Sequence, residues 1–385
     1  MKRCVSITVF LSIVAFSVGQ EQVKVPVKQD ILVGVIRWAG WRANNHHEEY
    51  LSKPQWHYRA PFFARIDGDQ VTMNQEDQKV MDKEILYAAE AGIDYWSFNY
   101  RAWPRDPPAD FAWGRLRMHE FHLASPHKDR IRFCLMLQDN LLGPSRTKHP
   151  EAARRYDYVK EWDTTASELV AIFKQEVYQK VFTNRPLLYV FAASKFDYFE
   201  SPKDMKRGLE LLAQKSKDAG LGKPYVVAMT WLGNEGGQWF TQAGYDALSG
   251  YAAPIHPDID RKTYSGHPYR MLAEANRVYW DACRITGRPV IPVVNEGWDE
   301  RPHFVSLNPH YDRPKGAWFS RGTDDEVVSN IEAACRWVLN NQESCESQSI
   351  LIYAWNEFTE GGWLCPTLEE GSTRLKSVGG VVRRY

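Results

Sequence analysis

Two glutamates three residues apart, Glu357 and Glu360, lie behind a short apolar run, Ile350-Leu351-Ile352-Tyr353-Ala354, and ahead of the glycine pair Gly361-Gly362. Carboxylates held close together repel one another's charge, so one keeps its proton while its neighbour ionises. Such a pair furnishes an acid and a base at the same pH. Cleaving a glycosidic bond needs that combination: a proton for the departing oxygen and a second carboxylate on the anomeric side. Trp355 and Trp363 flank the pair with flat apolar faces and an N–H each, a surface suited to sugar rings. Loop acids paired to nearby bases are the plainer reading, but the strand-end position and the tryptophans favour chemistry. Glu357 and Glu360 are therefore the candidate catalytic residues, with Trp355, Asn356 and Trp363 as candidate substrate contacts.

Apolar residues feeding into clustered acids are how a buried parallel strand delivers chemistry at its C-terminal end. Patterning predicts strands over 31–36, 94–100, 131–137, 186–192, 225–230, 246–251, 289–294 and 349–355. Helical spacing predicts helices over 76–91, 111–124, 164–175, 205–219 and 269–286, with Gly92, Gly220 and Gly287 as stops. Asp324 or Asp325 is expected to cap a further helix to about residue 340, and 373–384 to close the chain. Eight strand–helix alternations predict an α/β fold, a (β/α)8 TIM barrel occupying residues 20–385 as a single domain. Long βα loops follow its first and third strands. A doubly wound open sheet would place a glycine-rich phosphate loop after the first strand, and none is present.

In a barrel the strand ends converge on one face. Trp38, Asn99 and Arg101 come from the first two strands, and Asp139, Trp231 and Glu235 from the middle of the chain. Glu296, Trp298 and Asp299 follow the seventh strand. All are expected to bind substrate, and Glu235 with Glu296 forms a rival acid pair on separate strands.

Formal net charge is zero, with 48 basic and 48 acidic side chains spread along the chain. No phosphate-binding footprint marks nucleic acid or an anionic membrane as a partner. Fifteen tryptophans call for a large core or a ring-binding cleft. Lys2 and Arg3, an apolar run over 5–18 and the small residues around Ser17-Val18-Gly19 read as a signal peptide over residues 1–19. The run falls short of the roughly twenty residues that span a bilayer. A secreted or periplasmic protein without stable membrane insertion is expected. Cys335 and Cys345 stand near enough to close a helix end by a disulfide, while Cys134 and Cys283 read as small buried hydrophobes. Zinc spacings, calcium loops and the serine-hydrolase elbow are all absent, so neither metal nor cofactor is expected. His46-His47 is expected in a solvated loop.

Trp355-Asn356-Glu357-Phe358-Thr359-Glu360-Gly361 resembles the Trp-Asn-Glu-x-x-Glu-Gly signature of family 99 glycoside hydrolases and their relatives. Those are (β/α)8 endo-α-mannosidases and endo-α-mannanases, together with family 99-like domains of polysaccharide-assembly proteins. Ala91-Gly92-Ile93-Asp94-Tyr95-Trp96, Arg185-Pro186-Leu187-Leu188-Tyr189 and Gly297-Trp298-Asp299-Glu300-Arg301-Pro302 are further echoes of the wider group. The resemblance implies a glycoside hydrolase acting on a poly- or oligosaccharide, without metal and with retention. Carried over by position, Glu357 is the base that deprotonates the sugar 2-hydroxyl, which attacks its own anomeric carbon to give an anhydro-sugar. Glu360 is the acid and then the base. Phe358-Thr359 replaces the Trp-His usual in the mannosidases, which leaves the sugar open. A non-catalytic carbohydrate-binding or polysaccharide-assembly protein on the same barrel is the alternative. A glycosyltransferase-like role is a further one, disfavoured by the signal peptide and the missing nucleotide loop.

Overall fold

The computed structural model describes residues 31–41, 46–101, 116–138, 157–191, 201–230, 237–252, 256–259, 263–305 and 317–385, with the single positions 151, 154 and 199. Eight parallel strands run through it. They are β1 (Leu32–Arg37), β2 (Tyr95–Tyr100), β3 (Arg132–Leu137) and β4 (Arg185–Val190), then β5 (Tyr225–Met229), β6 (Ala247–Ser249), β7 (Val293–Asn295) and β8 (Ser349–Tyr353). Their order in space is β7-β8-β1-β2-β3-β4-β5-β6, with every neighbouring pair parallel. A parallel bridge between Leu248 and Val290 joins the two ends, where Leu248 N donates to Pro289 O at 2.8 Å and Ile291 N to Leu248 O at 2.9 Å. The result is a nearly closed (β/α)8 TIM barrel, as the alternation predicts.

The strands are buried almost from end to end, which is why they read as apolar runs rather than alternating patterns. Inside the barrel the Tyr95 and Tyr189 hydroxyls meet at 2.9 Å. Gly34 makes room for that layer, since a Cβ there would lie 2.1 Å from the Tyr95 ring. Around the strands pack α1 (Gln78–Glu90), α2 (Met118–Ala124), α3 (Tyr158–Phe173), α4 (Pro202–Asp218), α5 (Gly237–Ala243), α6 (Tyr269–Ile285), α7 (Asp324–Asn340) and α8 (Thr373–Val382). Amphipathic spacing orients them. α4, for example, turns Met205, Leu209 and Leu212 inward and Lys203, Lys206 and Lys217 away from the core.

Three expectations change. The strand expected over 289–294 splits into a bridge at Val290 and β7, because Pro292 has no N–H to give the ladder. The cap of α7 is Thr323 rather than Asp324 or Asp325: its hydroxyl accepts from Glu326 N at 3.2 Å while Glu326 accepts from Thr323 N at 2.8 Å. Asp324 instead binds Arg374, Nε to Oδ1 at 3.0 Å. The expected disulfide does not form, and Cys335 and Cys345 are both buried and free. Cys335 lies within α7 on its core-facing side, where burial pushes its thiol up to about 12. The expected signal peptide lies outside the described residues. Among those described, no helix is long and apolar enough to cross a membrane.

One buried ion pair ties the helical layer to the last strand. Arg37 at the end of β1 and Glu84 on α1 are both fully buried, and the guanidinium donates to Glu84 through Nε at 3.1 Å and through a second nitrogen. The other Glu84 oxygen accepts from Trp355 Nε1 at 2.9 Å. Removing one partner of such a pair strands a charge in the core, at about 3–5 kcal/mol. Glu84→Ala is expected to lose stability on that scale in urea unfolding, and a loss below about 1 kcal/mol would show that water or a neighbour replaces the carboxylate.

Candidate active site

Past Tyr353 the chain leaves β8 and folds into a small hairpin. Asn356–Glu357 pairs antiparallel with Gly362–Trp363, and the turn closes with Glu360 N and Gly361 N donating to Glu357 O at 3.1 and 3.0 Å. Gly361 adopts a φ of 89°, and a Cβ there would lie 2.4 Å from Asp299 N, so only glycine fits. On the facing loop, after β7, a Cβ on Gly297 would lie 2.0 Å from Gly361 O. Two glycines thus let the backbones touch, and Asp299 N donates to Glu360 O at 2.6 Å.

This contact brings three carboxylates to one cavity of about 450 Å³ at the C-terminal end of the barrel: Glu357, Glu360 and Glu300. Tyr251 donates its hydroxyl to Glu357 Oε1, and Tyr353 donates to Glu360 Oε2 at 2.5 Å. The two tyrosines pack edge to face, ring centroids 5.0 Å apart, with Phe191 against Tyr251 at 4.9 Å and Trp298 against Tyr353 at 5.7 Å. Trp38, His47, Asn99, Gln138, Thr359 and His303 complete the described lining.

Burial, and then the charge of Glu360, push the Glu357 carboxyl well above the usual range, against the hydrogen bond from Tyr251. Burial also raises Glu360, against the hydrogen bond from Tyr353. Glu300 rises to about 8 through burial, Glu360 and Asp299. Burial and the adjacent acids move both phenols further above their ordinary value, so they remain donors. The charge of each neighbouring acid thus strengthens the hold of Glu357 and Glu300 on their protons.

The expected site residues divide. Glu357, Glu360, Trp38, Asn99 and Trp298 come together on the cavity. Trp355, Asn356 and Trp363 do not, and their expected contact with substrate is corrected. Trp355 is fully buried against Trp96, centroids 4.7 Å apart. Asn356 is fully buried and latches Trp38, accepting from its N at 2.7 Å and donating to its O at 2.9 Å. Trp363 packs under Arg59 and Arg321, at 5.4 and 4.6 Å from its ring.

Glu296 and Asp299 are also committed elsewhere. Glu296 is ion-paired with Arg374 and accepts from Trp363 N at 2.7 Å. Asp299 is held by Arg59 and by Arg301, whose Nε and Nη2 reach it at 2.8 and 2.9 Å. Burial would raise the Asp299 carboxyl, but the hydrogen bonds from Arg301 and the two positive charges hold it below its usual value. Arg101 is buried and outside the lining. Asp139, Trp231 and Glu235 lie outside the described residues, so the rival pair has only Glu296 in view.

Glu300, Tyr251 and His47 are cavity residues that were not among the expected site residues. Glu300 follows Trp298-Asp299 at an expected strand end, which is the signal that marked its neighbours. His47, expected in a solvated loop, belongs to a 3-10 turn, His46–Leu51, and packs against Trp38 with centroids 5.0 Å apart. Among the described residues no group of His, Cys, Asp or Glu side chains could hold a metal ion.

A family model described as glycosyltransferase WbsX matches residues 147–378. No curated protein matches in sequence. Similar solved structures include a glycoside hydrolase-like protein, TM-score 0.62 at 15% identity, with 92% of this chain and 94% of that one covered. A GH99 endo-alpha-mannosidase from Bacteroides thetaiotaomicron is similar at TM-score 0.55 and 12% identity, over 92% of this chain and 97% of that one. The structure of that enzyme in complex with BIS-TRIS-propane gives 0.57 with the same identity and coverage. These likenesses extend the barrel assignment over nearly the whole of both chains.

The Glu300 shift has a sign that stability can report. Its carboxyl is raised in the fold from 4.5 to about 8, so the native state binds the extra proton between those values and stability falls as pH rises through the window. Glu300→Gln removes that liability. The variant is expected to match the parent near pH 4.5 and to exceed it by roughly 1–3 kcal/mol at pH 9, after discounting for solvent at this partly exposed position. A pH-independent difference in denaturant unfolding would mean that Glu300 ionises normally.

Proposed function

This chain belongs to the family described as glycosyltransferase WbsX, and from that premise we propose a carbohydrate-active enzyme that hydrolyses glycosidic bonds of an oligo- or polysaccharide. One observation carries the reading: Glu357 and Glu360 line the same cavity, each holding a tyrosine hydroxyl, with Trp38 and Trp298 on the same wall. The glycoside hydrolase fold of the structural neighbours supports it.

In this proposal the reaction retains configuration and both roles fall to side chains, with no metal taking part. Glu357 takes the proton of the sugar 2-hydroxyl, whose oxygen attacks the anomeric carbon as Glu360 protonates the departing oxygen. Water then opens the anhydro-sugar at the anomeric carbon, giving its proton to Glu360, while Glu357 returns the proton to the 2-oxygen. Tyr251 and Tyr353 steady whichever carboxyl is ionised. Export through the N-terminal segment, to the exterior or periplasm, is part of the same proposal and would place the enzyme among extracellular glycans.

The family description favours a second reading, transfer of the glycosyl group to another sugar rather than to water. Incubating the purified protein with a panel of oligosaccharides and reading products by mass spectrometry separates the two. New reducing ends indicate hydrolysis, and lengthened chains indicate transfer. Glu357→Gln and Glu360→Gln are each expected to lower turnover by about 10²–10⁴-fold with binding retained. Parent-like turnover in both variants would dismiss this acid pair.

A further inference from the structure

Two carboxylates suffice for the chemistry proposed, and the cavity presents three. Glu300 is the surplus one. Its side chain takes no hydrogen bond or ion pair among the described residues, although its neighbour Asp299 engages two arginines. Its position on the wall with Glu357 and Glu360 costs stability, as its raised carboxyl records. No Lys or Arg lines the cavity among the described residues, where His47 and His303 are the basic side chains.

A second feature of the wall is independent of these charges. Asn99 at the end of β2 is 3% exposed and lines the cavity, and its Oδ1 accepts no hydrogen bond. A buried acceptor without a donor is costly, so a ligand that brings N–H or O–H donors is favoured there. Trp38 and Trp298 line the same wall, and aromatic rings attract cations that approach their faces. The acids do not form a group that could hold a metal ion, so an organic cation fits this wall better than a bare one.

We propose that the cavity recognises a sugar carrying a free ammonium group, with Glu300 as the residue that selects it. This rests on the carbohydrate reading of the site and names the class of sugar. The ammonium supplies three N–H donors and one positive charge to a wall of carboxylates and an amide oxygen. An N-acetylated sugar brings neither the charge nor the full set of donors. Where Glu357 acts on a 2-hydroxyl, the ammonium sits at another ring position or on the adjoining sugar.

Calorimetry on the full chain in phosphate buffer tests this without any need for turnover. The probes are D-glucosamine, D-galactosamine, D-mannosamine and 6-amino-6-deoxy-D-glucose, each against its parent hexose, with N-acetylated forms of the first three. At least one amine is expected to bind about tenfold tighter than every neutral counterpart paired with it. Glu300→Gln, with its thermal unfolding checked against the parent, is expected to bring that ratio close to one. A second readout needs no variant: at pH 7 amine binding should release close to one proton, seen as a binding heat that changes with the buffer's ionisation enthalpy. Neutral sugars binding as tightly as amines, no amine binding at 100 mM, no proton release, or an amine preference that survives Glu300→Gln would each overturn the proposal. An amine preference in a protein that cleaves nothing would sink the hydrolase reading alone. Cleavage of neutral glycans without that preference would sink this one alone.

Discussion

Arg59 is the cation on which the acid cluster depends. The loop after β7 and the turn after β8 each carry carboxylates to the same opening, and like charge alone would push them apart. Arg59 answers with backbone as well as charge. It donates to Asp299 O at 3.0 Å and Phe358 O at 3.2 Å, and pairs with the Asp299 carboxylate. A planar guanidinium can serve three acceptors in fixed directions, which an ammonium on a flexible stem does poorly. Its plane is packed between the rings of Trp56 and Trp363, at 4.6 and 5.4 Å. Glu300 and Glu360 therefore hang from loops whose main chains meet at one buried cation. The Arg301 guanidinium, 3.5 Å over the Trp318 ring, finishes the neutralisation of Asp299. That spare cation keeps Asp299 ionised, so Asp299 adds to the field that raises Glu300 instead of sharing its proton.

The same arrangement sets what the acids can do. A carboxylate on the surface is ionised at neutral pH and makes a poor acid. Raising it by burial and by a like neighbour moves its proton affinity toward the working range, as a general acid requires. The tyrosines act in the opposite sense, each stabilising the ionised form of one glutamate and so limiting how far burial raises it. Because Tyr353 ends β8 and Tyr251 lies just beyond β6, these donors stand on or beside the barrel wall while the acids stand on loops. The rigid layer thereby fixes the direction in which each carboxyl presents its free oxygen.

Much of this was legible in the chain, and the pattern of what was not is physical. Buried parallel strands leave apolar runs with glycine-stopped helices between them, and these mark the barrel without reference to any long-range contact. The acid pair stood out because both members fall within one turn of sequence. Roles decided by distant partners were invisible: Glu296 is bound by Arg374, Asp299 by Arg59, and Asn356 by the backbone of Trp38, separations of 78, 240 and 318 residues. Indoles at a strand end look like sugar platforms whichever way they face. Trp298 faces the cavity while Trp355 is core, and only the placement of Glu84 under the Trp355 N–H decides it. His47 reads as a solvated loop residue because adjacent polar residues in a long connection carry no periodicity to show that the segment folds back over Trp38.

In the mechanism proposed above, hydrolysis and transfer are two outcomes of one intermediate. In retaining chemistry the group that activates water in the second step is also the group that would activate a sugar hydroxyl. Under that proposal both outcomes ask the same of Glu360, and differ in what occupies the space beside it when the intermediate forms. A dry apolar platform there favours a sugar acceptor, whereas unpaired carboxylates keep water bound. The described wall next to Glu360 bears Glu300, an acid without a protein partner, together with Trp298. The proposed balance between the two outcomes thus turns on Glu300, the acid of this cavity that no protein group engages among the described residues.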